Sequence, residues 1–141
     1  MAGNTTLTSI KPDAFGAGKA GKIIALLEER GFTVRAARVM QLTKAQAGEF
    51  YAVHRERPFY AELVQFMTSG PCMPMVLHKA NAVSALRDAI GATDPAEAAA
   101  GTVRKLYAES KGRNAIHASD SDENAQREAR FFFAETDLIW G

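Results

Sequence analysis

The sequence predicts one α/β sandwich, and three observations carry that prediction. Short segments with alternating apolar side chains are interleaved with segments whose apolar side chains recur at helical spacing. The length of 141 residues suits a single domain, residues 1–141, and no repeat, linker or low-complexity stretch divides it. Hydrophobic residues make up 47% and charged residues 23%, which supplies a core and is too little charge for a disordered chain. Strand order does not follow from periodicity.

Taken in order, Thr6 to Lys11 reads as a strand with Leu7, Ser9 and Lys11 on one face and Thr8 and Ile10 on the other, stopped by Pro12. Ala20, Ile23, Ile24 and Leu27 define a helix that Gly31 closes. Phe32 to Met40 is a second strand, with Phe32, Val34 and Ala36 alternating against Thr33 and Arg35. Thr43 and Gln46 form a capping box for a short helix towards Tyr51. Pro58 suits a helix start, with Phe59, Leu63 and Phe66 or Met67 turned inward, and Ser69-Gly70-Pro71 ends it.

Cys72 to Leu77 reads as a strand in which Pro74 requires an edge or a bulge. Val83, Leu86 and Ile90 mark the next helix, with Ser84, Arg87 and Asp88 on its other side. Asp94-Pro95 followed by Glu97 signals another helix start before Gly101, and residues 108–114 read as a loop. Ala115 to Ala118 is too short to assign. Asp120 and Glu123 suggest a capping box for a helix that buries Ala125, Ala129, Phe132 and Phe133. Asp137 to Trp140 is either a terminal strand or an extended tail.

Charge and cysteine content narrow the function classes. Seventeen Lys and Arg against sixteen Asp and Glu give a formal net charge of +1, which argues against a dedicated nucleic-acid coat. The single cysteine, Cys72, forms no intrachain disulfide and reads as a buried, reduced thiol. Met1 to Ser9 lacks the charged and apolar regions of a secretory signal, and no apolar run approaches the roughly 18 residues of a membrane span, so a cytoplasmic protein is expected. No Cys or His pair has zinc-site spacing, and no nucleophile elbow is present.

Gly16, Gly21 and Lys22 have phosphate-loop spacing, but Ile23 stands where a magnesium-binding hydroxyl is needed, so the segment reads as a flexible lead into a helix. His117 is of greater interest, with Glu128 two turns into the helix that follows. Asp120 to Glu128 spans roughly 12 Å along a helix, so the chain must fold back if Glu128 is to orient the ring. A carboxylate on one ring nitrogen would leave the other as a nucleophile; the alternative is a solvent-facing histidine beside a cap. Lys11, Arg87 and Arg104 are candidates for phosphate contacts or for ordinary ion pairs, and Tyr51 and Thr93 for phosphate or surface hydrogen bonds. Phe59 suits base stacking or core packing. His54 and His78 have no local constellation and read as structural or surface residues.

The segment Asn114-Ala115-Ile116-His117-Ala118-Ser119-Asp120-Ser121 resembles the active-site signature of nucleoside diphosphate kinases. Ordered matches extend from about Thr6 to Ile139: Lys11-Pro12-Asp13, Arg57-Pro58-Phe59-Tyr60, Ser69-Gly70-Pro71, Asn81-Ala82-Val83, Gly91-Ala92-Thr93-Asp94-Pro95 and Gly101-Thr102-Val103-Arg104. The resemblance implies a ferredoxin-like α/β sandwich with a four-stranded antiparallel sheet. It also implies reversible transfer of the terminal phosphoryl group of nucleoside triphosphates to diphosphates through a phosphohistidine.

The same resemblance makes His117 the nucleophile, with Glu128 orienting it and Ser119 supporting the network. It assigns phosphate or sugar contacts to Lys11, Tyr51, Arg87, Thr93, Arg104 and Asn114, and base stacking to Phe59. Residues 51–66 resemble a mobile nucleotide-binding helical hairpin, and residues 96–114 a long loop near the assembly surface. Mg2+ bound through nucleotide phosphates with no protein carboxylate ligand, and assembly into homotetramers or homohexamers, complete the implied set. No dedicated nucleic-acid site and no membrane partner are expected. A nucleotide-sensing or nucleic-acid-binding module without catalysis is the competing reading, with a protein-interaction scaffold as a third. Three local departures stand out: Ala118 in place of a glycine, strained if that backbone needs positive φ; His78-Lys79-Ala80 before Asn81; and Leu106-Tyr107.

Overall fold

The first strand, β1 (Thr5–Ile10), is buried on both faces because helices pack over it from two sides. The computed structural model describes residues 3–138. Its four strands are β1, β2 (Thr33–Ala37), β3 (Met73–His78) and β4 (Ile116–Ala118). They form one antiparallel sheet in the order β2-β3-β1-β4. The helices are α1 (Pro12–Gly16), α2 (Ala20–Glu29), α3 (Lys44–Phe50), α4 (Tyr60–Met67), α5 (Ala82–Ile90), α6 (Val103–Tyr107) and α7 (Asp122–Phe132).

Strand alternation divides the interior in two. Ile10, Met75, Leu77 and Ile116 pack with Ile23 and Leu27 of α2 and with Leu86 and Ile90 of α5. Leu7 and Val76 point the other way, against Phe50 of α3, Val64 and Met67 of α4, and Ala129 and Phe132 of α7. Each fully buried aliphatic side chain of this kind contributes roughly 1.5–3 kcal/mol relative to exposure. His117 pairs with Ser9, so it shares the Leu7 face and looks towards α3 and α7.

Several sequence expectations are corrected here. Pro12 does not merely stop β1; it opens α1 at a position where a missing N–H costs nothing. The β2 ladder shifts between Val34 and Ala36, so Val34 packs with the first cluster and Ala36 with the second. Phe32, Val34 and Ala36 therefore do not share a face, because the bulge at Arg35 inserts one residue and reverses the alternation. Pro74 lies in an interior strand. Its carbonyl accepts from the Arg38 N–H at 3.2 Å, beyond the last pair within β2 and β3, Ala37–Met75, and its missing N–H leaves out one bond before the Met40–Cys72 bridge.

The Asp94-Pro95 signal makes turns rather than a helix: Asp94 Oδ1 accepts from the Ala96 N–H at 2.9 Å and the chain turns again before Gly101. The helix comes later, as α6, capped by Thr102 and not anticipated from periodicity over its five residues. Ser121 rather than Asp120 caps α7, accepting from the Asn124 N–H, while Asp120 accepts from the Asn124 side chain. Glu135–Asp137 is a single 3-10 turn, Leu138 follows it in extended conformation, and Ile139 and Trp140 of the proposed terminal strand or tail lie outside the described residues. The capping box at Thr43 and Gln46 forms as expected, and Gly31 closes α2 with φ +96°. Among the described residues no helix is long and apolar enough to cross a membrane.

Candidate active site

β4 is only three residues long, yet it holds His117 in a fixed place because β1 keeps it in register. The helix α7 then folds back across the sheet, as the 12 Å argument requires. Its buried stripe is Ala125, Glu128, Ala129 and Phe132, so helical spacing delivers a carboxylate into an otherwise apolar face. Glu128 Oε1 lies 2.6 Å from His117 Nε2 and accepts from Ser119 Oγ at 2.7 Å. Glu128 Oε2 meets Arg127 at 3.6 Å. With Nε2–H committed to the carboxylate, Nδ1 is the ring nitrogen left with an available lone pair. Phe50 and Tyr51 meet the imidazole edge-on, at centroid distances of 5.3 and 6.4 Å, and fix its plane.

His117 opens on a cavity of about 750 Å³. Lys11, Tyr51, Phe59 and Thr93, all anticipated as site residues, line the same cavity. Phe59 is 47% exposed and precedes α4, so its ring belongs to the cavity rather than to the core, against the inward placement expected from helical spacing. The residues of α4 that turn inward are Val64 and Met67. His54, read from sequence as isolated, also lines the cavity and lies between Tyr51 and Phe59, with ring centroids 6.5 and 5.3 Å away. The spacing of three aromatic rings at positions 51, 54 and 59 was the signal available for it. His78 ends β3 and does not line the cavity.

Arg87 and Thr93 line an adjoining cleft of about 350 Å³, so Thr93 borders both spaces. Asn114 is buried between them: its Oδ1 accepts from Lys11 Nζ at 2.9 Å and its Nδ2 donates to the Thr93 carbonyl at 3.4 Å. Arg104 is 7% exposed and donates to the carbonyls of Asn114, Gly91 and Ile116 at 3.3, 3.1 and 2.8 Å. Three of its five N–H groups therefore bind backbone, which joins the Gly91 turn to β4. A larger groove of about 890 Å³ between α3 and α4 contains neither His117 nor any of the cationic site residues. Gly16, Gly21 and Lys22 line none of these spaces; Gly16 ends α1 and the other two lie in α2.

Burial tunes the site's protons. It pushes the Lys11 ammonium down to about 8, with Arg104 adding to the fall and Asp13 opposing it. Burial also lowers Arg104 to about 10, helped by Arg87, so the guanidinium remains cationic at neutral pH. The Tyr51 hydroxyl is pushed upward by burial and then by Glu128, which keeps it a proton donor. Among the described residues no three His, Cys, Asp or Glu side chains converge as a metal cage. The cavity instead offers ammonium, guanidinium and hydroxyl donors from Lys11, Arg113, Tyr51 and Thr93, a set that suits phosphate oxygens.

The concern at Ala118 does not materialise: it sits in β4, and the positive-φ non-glycine residues among those described are Asn81 and Ala115. Asn81, after the His78-Lys79-Ala80 departure, takes a left-handed conformation at the start of α5. Leu106 is exposed on α6, away from the buried Arg104 side.

Comparison with known proteins agrees with this geometry. A family model described as nucleoside diphosphate kinase matches residues 4–138. The nucleoside diphosphate kinase of Chlorobium luteolum is 62% identical over 134 residues, covering 95% of this chain and 96% of that protein. That of Gluconacetobacter diazotrophicus is 52% identical over 139 residues, covering 99% of each. A crystal structure of the Aquifex aeolicus nucleoside diphosphate kinase superposes with a TM-score of 0.95 at 45% identity, covering 98% of this chain and 100% of the other. With the sequence match and the fold in agreement over nearly its whole length, the chain belongs to the nucleoside diphosphate kinase family, whose members pass a terminal phosphoryl group between nucleoside triphosphates and diphosphates.

Proposed function

We propose that His117 is the covalent carrier in this phosphoryl transfer and that residues 1–141 act as one nucleoside diphosphate kinase domain. The observation that carries the assignment is the 2.6 Å contact between His117 Nε2 and Glu128, itself held by Ser119. Nδ1 of the neutral ring attacks the terminal phosphorus. The N–P bond forms as the bond to the bridging oxygen breaks, and the nucleoside diphosphate leaves with that electron pair. The proton stays on Nε2, where the Glu128 carboxylate stabilises the imidazolium character that develops. A second diphosphate then attacks phosphohistidine by the reverse path.

The remaining roles follow from chemistry. Lys11, Arg87 and Arg104 offset phosphate charge, and Tyr51, Thr93 and Asn114 supply directional hydrogen bonds to phosphate or sugar. Two N–H groups of Arg104 remain for a phosphate while the other three hold the backbone. The exposed face of Phe59 accepts any base by stacking, which suits broad nucleobase use. Magnesium carried on the nucleotide's own phosphates helps neutralise the leaving diphosphate. The family association extends to a homotetramer or homohexamer and to a cytoplasmic setting.

The test is a labelling chase. With labelled ATP and magnesium the protein should acquire an acid-labile phosphohistidine, and an added nucleoside diphosphate should remove the label. His117→Ala should fold and take up none. An active preparation that neither forms nor discharges the label would overturn the assignment.

A further inference from the structure

Asp13 is a buried charged residue that the mechanism above leaves unused. It is 8% exposed and lies in the first turn of α1, yet it does not cap that helix. Instead its Oδ2 reaches across the fold and accepts from the N–H of Ala115 at 3.0 Å. Its Oδ1 has no hydrogen-bond partner among the described residues. Burying a carboxylate for one amide contact is costly, so something of comparable cost should be held in place by it.

That something is the backbone of Ala115. The residue is fully buried with φ +76°, and the Ile116 N–H donates back to the Asn114 carbonyl at 2.9 Å. The three residues make a γ-turn of the positive-φ kind, which for a residue with a Cβ costs on the order of 1–3 kcal/mol. Ala115 is gripped on both sides: Asp13 takes its N–H, and the Lys11 N–H donates to its carbonyl at 2.8 Å. The turn sits between two groups of the site. Asn114 precedes it with its amide on Lys11, and His117 follows it by two residues. If Ala115 relaxed to negative φ, the peptide planes on either side would rotate, carrying Asn114 away from Lys11 and re-aiming β4 at its start.

We propose that Asp13 is a positioning residue for the phosphoryl transfer: by holding the Ala115 turn, its carboxylate sets Asn114 against Lys11 and aims His117. The inference rests on the reading of His117 as the phosphoryl carrier.

The experiment is rapid-quench measurement of phosphohistidine formation in one turnover with saturating magnesium ATP, on protein shown to be folded by circular dichroism. Three variants are compared with wild type: Asp13→Ala, Asp13→Asn and the double variant Asp13→Ala with Ala115→Gly. Asparagine keeps an acceptor for the Ala115 N–H, and glycine takes positive φ at no steric cost and needs no anchor. The expected result is a fall of about 10- to 100-fold in Asp13→Ala, since a misplacement near 1 Å can cost that much. Asp13→Asn should stay within about threefold of wild type, and the double variant should be faster than Asp13→Ala. A residue that only stabilises the fold would lower the melting temperature of Asp13→Ala and leave the rate per folded molecule at the wild-type value; that result overturns the proposal. If Asp13→Ala does not fold, a folded Asp13→Asn that is slowed more than about 10-fold overturns it instead, since the acceptor is then present without effect. Wild-type protein that takes up no label would refute the phosphohistidine reading itself, a failure distinct from an unimpaired Asp13→Ala.

Discussion

At the residue scale the site depends on a few hydrogen bonds whose donors and acceptors are all buried or nearly so. Ser119 is fully buried and its hydroxyl serves the carboxylate that serves the imidazole. A hydrogen bond to a charged group contributes roughly 1.5–3 kcal/mol, so Ser119→Ala should slow phosphohistidine formation by about tenfold or more while leaving nucleotide affinity nearly unchanged. Single-turnover rates beside equilibrium binding check this; a loss confined to binding would mean Ser119 acts elsewhere. Lys11 supplies a pH signature. Because its folded value is lowered from 10.5 to about 8, the free enzyme loses that positive charge as pH rises through about 8. Activity at low nucleotide concentration should therefore decline across that range. Stability moves the other way, since between about 8 and 10.5 the unfolded chain binds the proton that the folded one has released, and the slope is positive. A pH profile of kcat/KM, with Lys11→Arg shifting the fall upward, tests the assignment; an unshifted profile would point to another group.

At the element scale, short segments are held in place by tertiary contacts rather than by their own propensity. α6 has five residues, and Thr102 caps it while resting against Gly91. Gly91 has φ +89°, and a Cβ there would lie 2.6 Å from Thr102 Oγ1 and 2.9 Å from Thr102 Cβ. Gly91→Ala should therefore destabilise the protein by about 2–4 kcal/mol and displace the carbonyl that Arg104 binds, lowering turnover as well. Denaturant unfolding and steady-state kinetics measure the two effects. Ala118 makes the opposite case. Its strand conformation gives glycine no advantage, so Ala118→Gly should cost about 0.5–1 kcal/mol and should not accelerate turnover. Faster turnover in that variant would show that the backbone beside His117 is strained after all. The α7 stripe shows how much was legible at this scale: Ala125, Ala129 and Phe132 were readable as a buried face, and the period that selects them also includes Glu128. Arg35 shows the limit, because a bulge is a property of two strands and alternation is read from one.

At the scale of the whole molecule, β1 occupies an interior place in the sheet and organises the site. It pairs with β4 to present His117, carries α7 on its Leu7 face, and leads directly into Lys11 and Asp13. The family's assembly gives a prediction at this level: sedimentation of the full chain should yield a tetramer or hexamer mass, and the melting temperature should rise with protein concentration. A monomer at every concentration would remove the assembly proposal without touching the chemistry.

The sequence by itself determined the α/β class, most helices and, through ordered motifs rather than periodicity, the family to which the chain belongs. Those are properties of local pattern and residue type. Only the tertiary structure decided that Arg104 braces three backbone carbonyls and that Asp13 reaches a turn 102 residues away. In each case the partner is distant in sequence or is a backbone atom. Backbone atoms are alike at every position, so only the folded path distinguishes the carbonyl or N–H that a buried charge will meet.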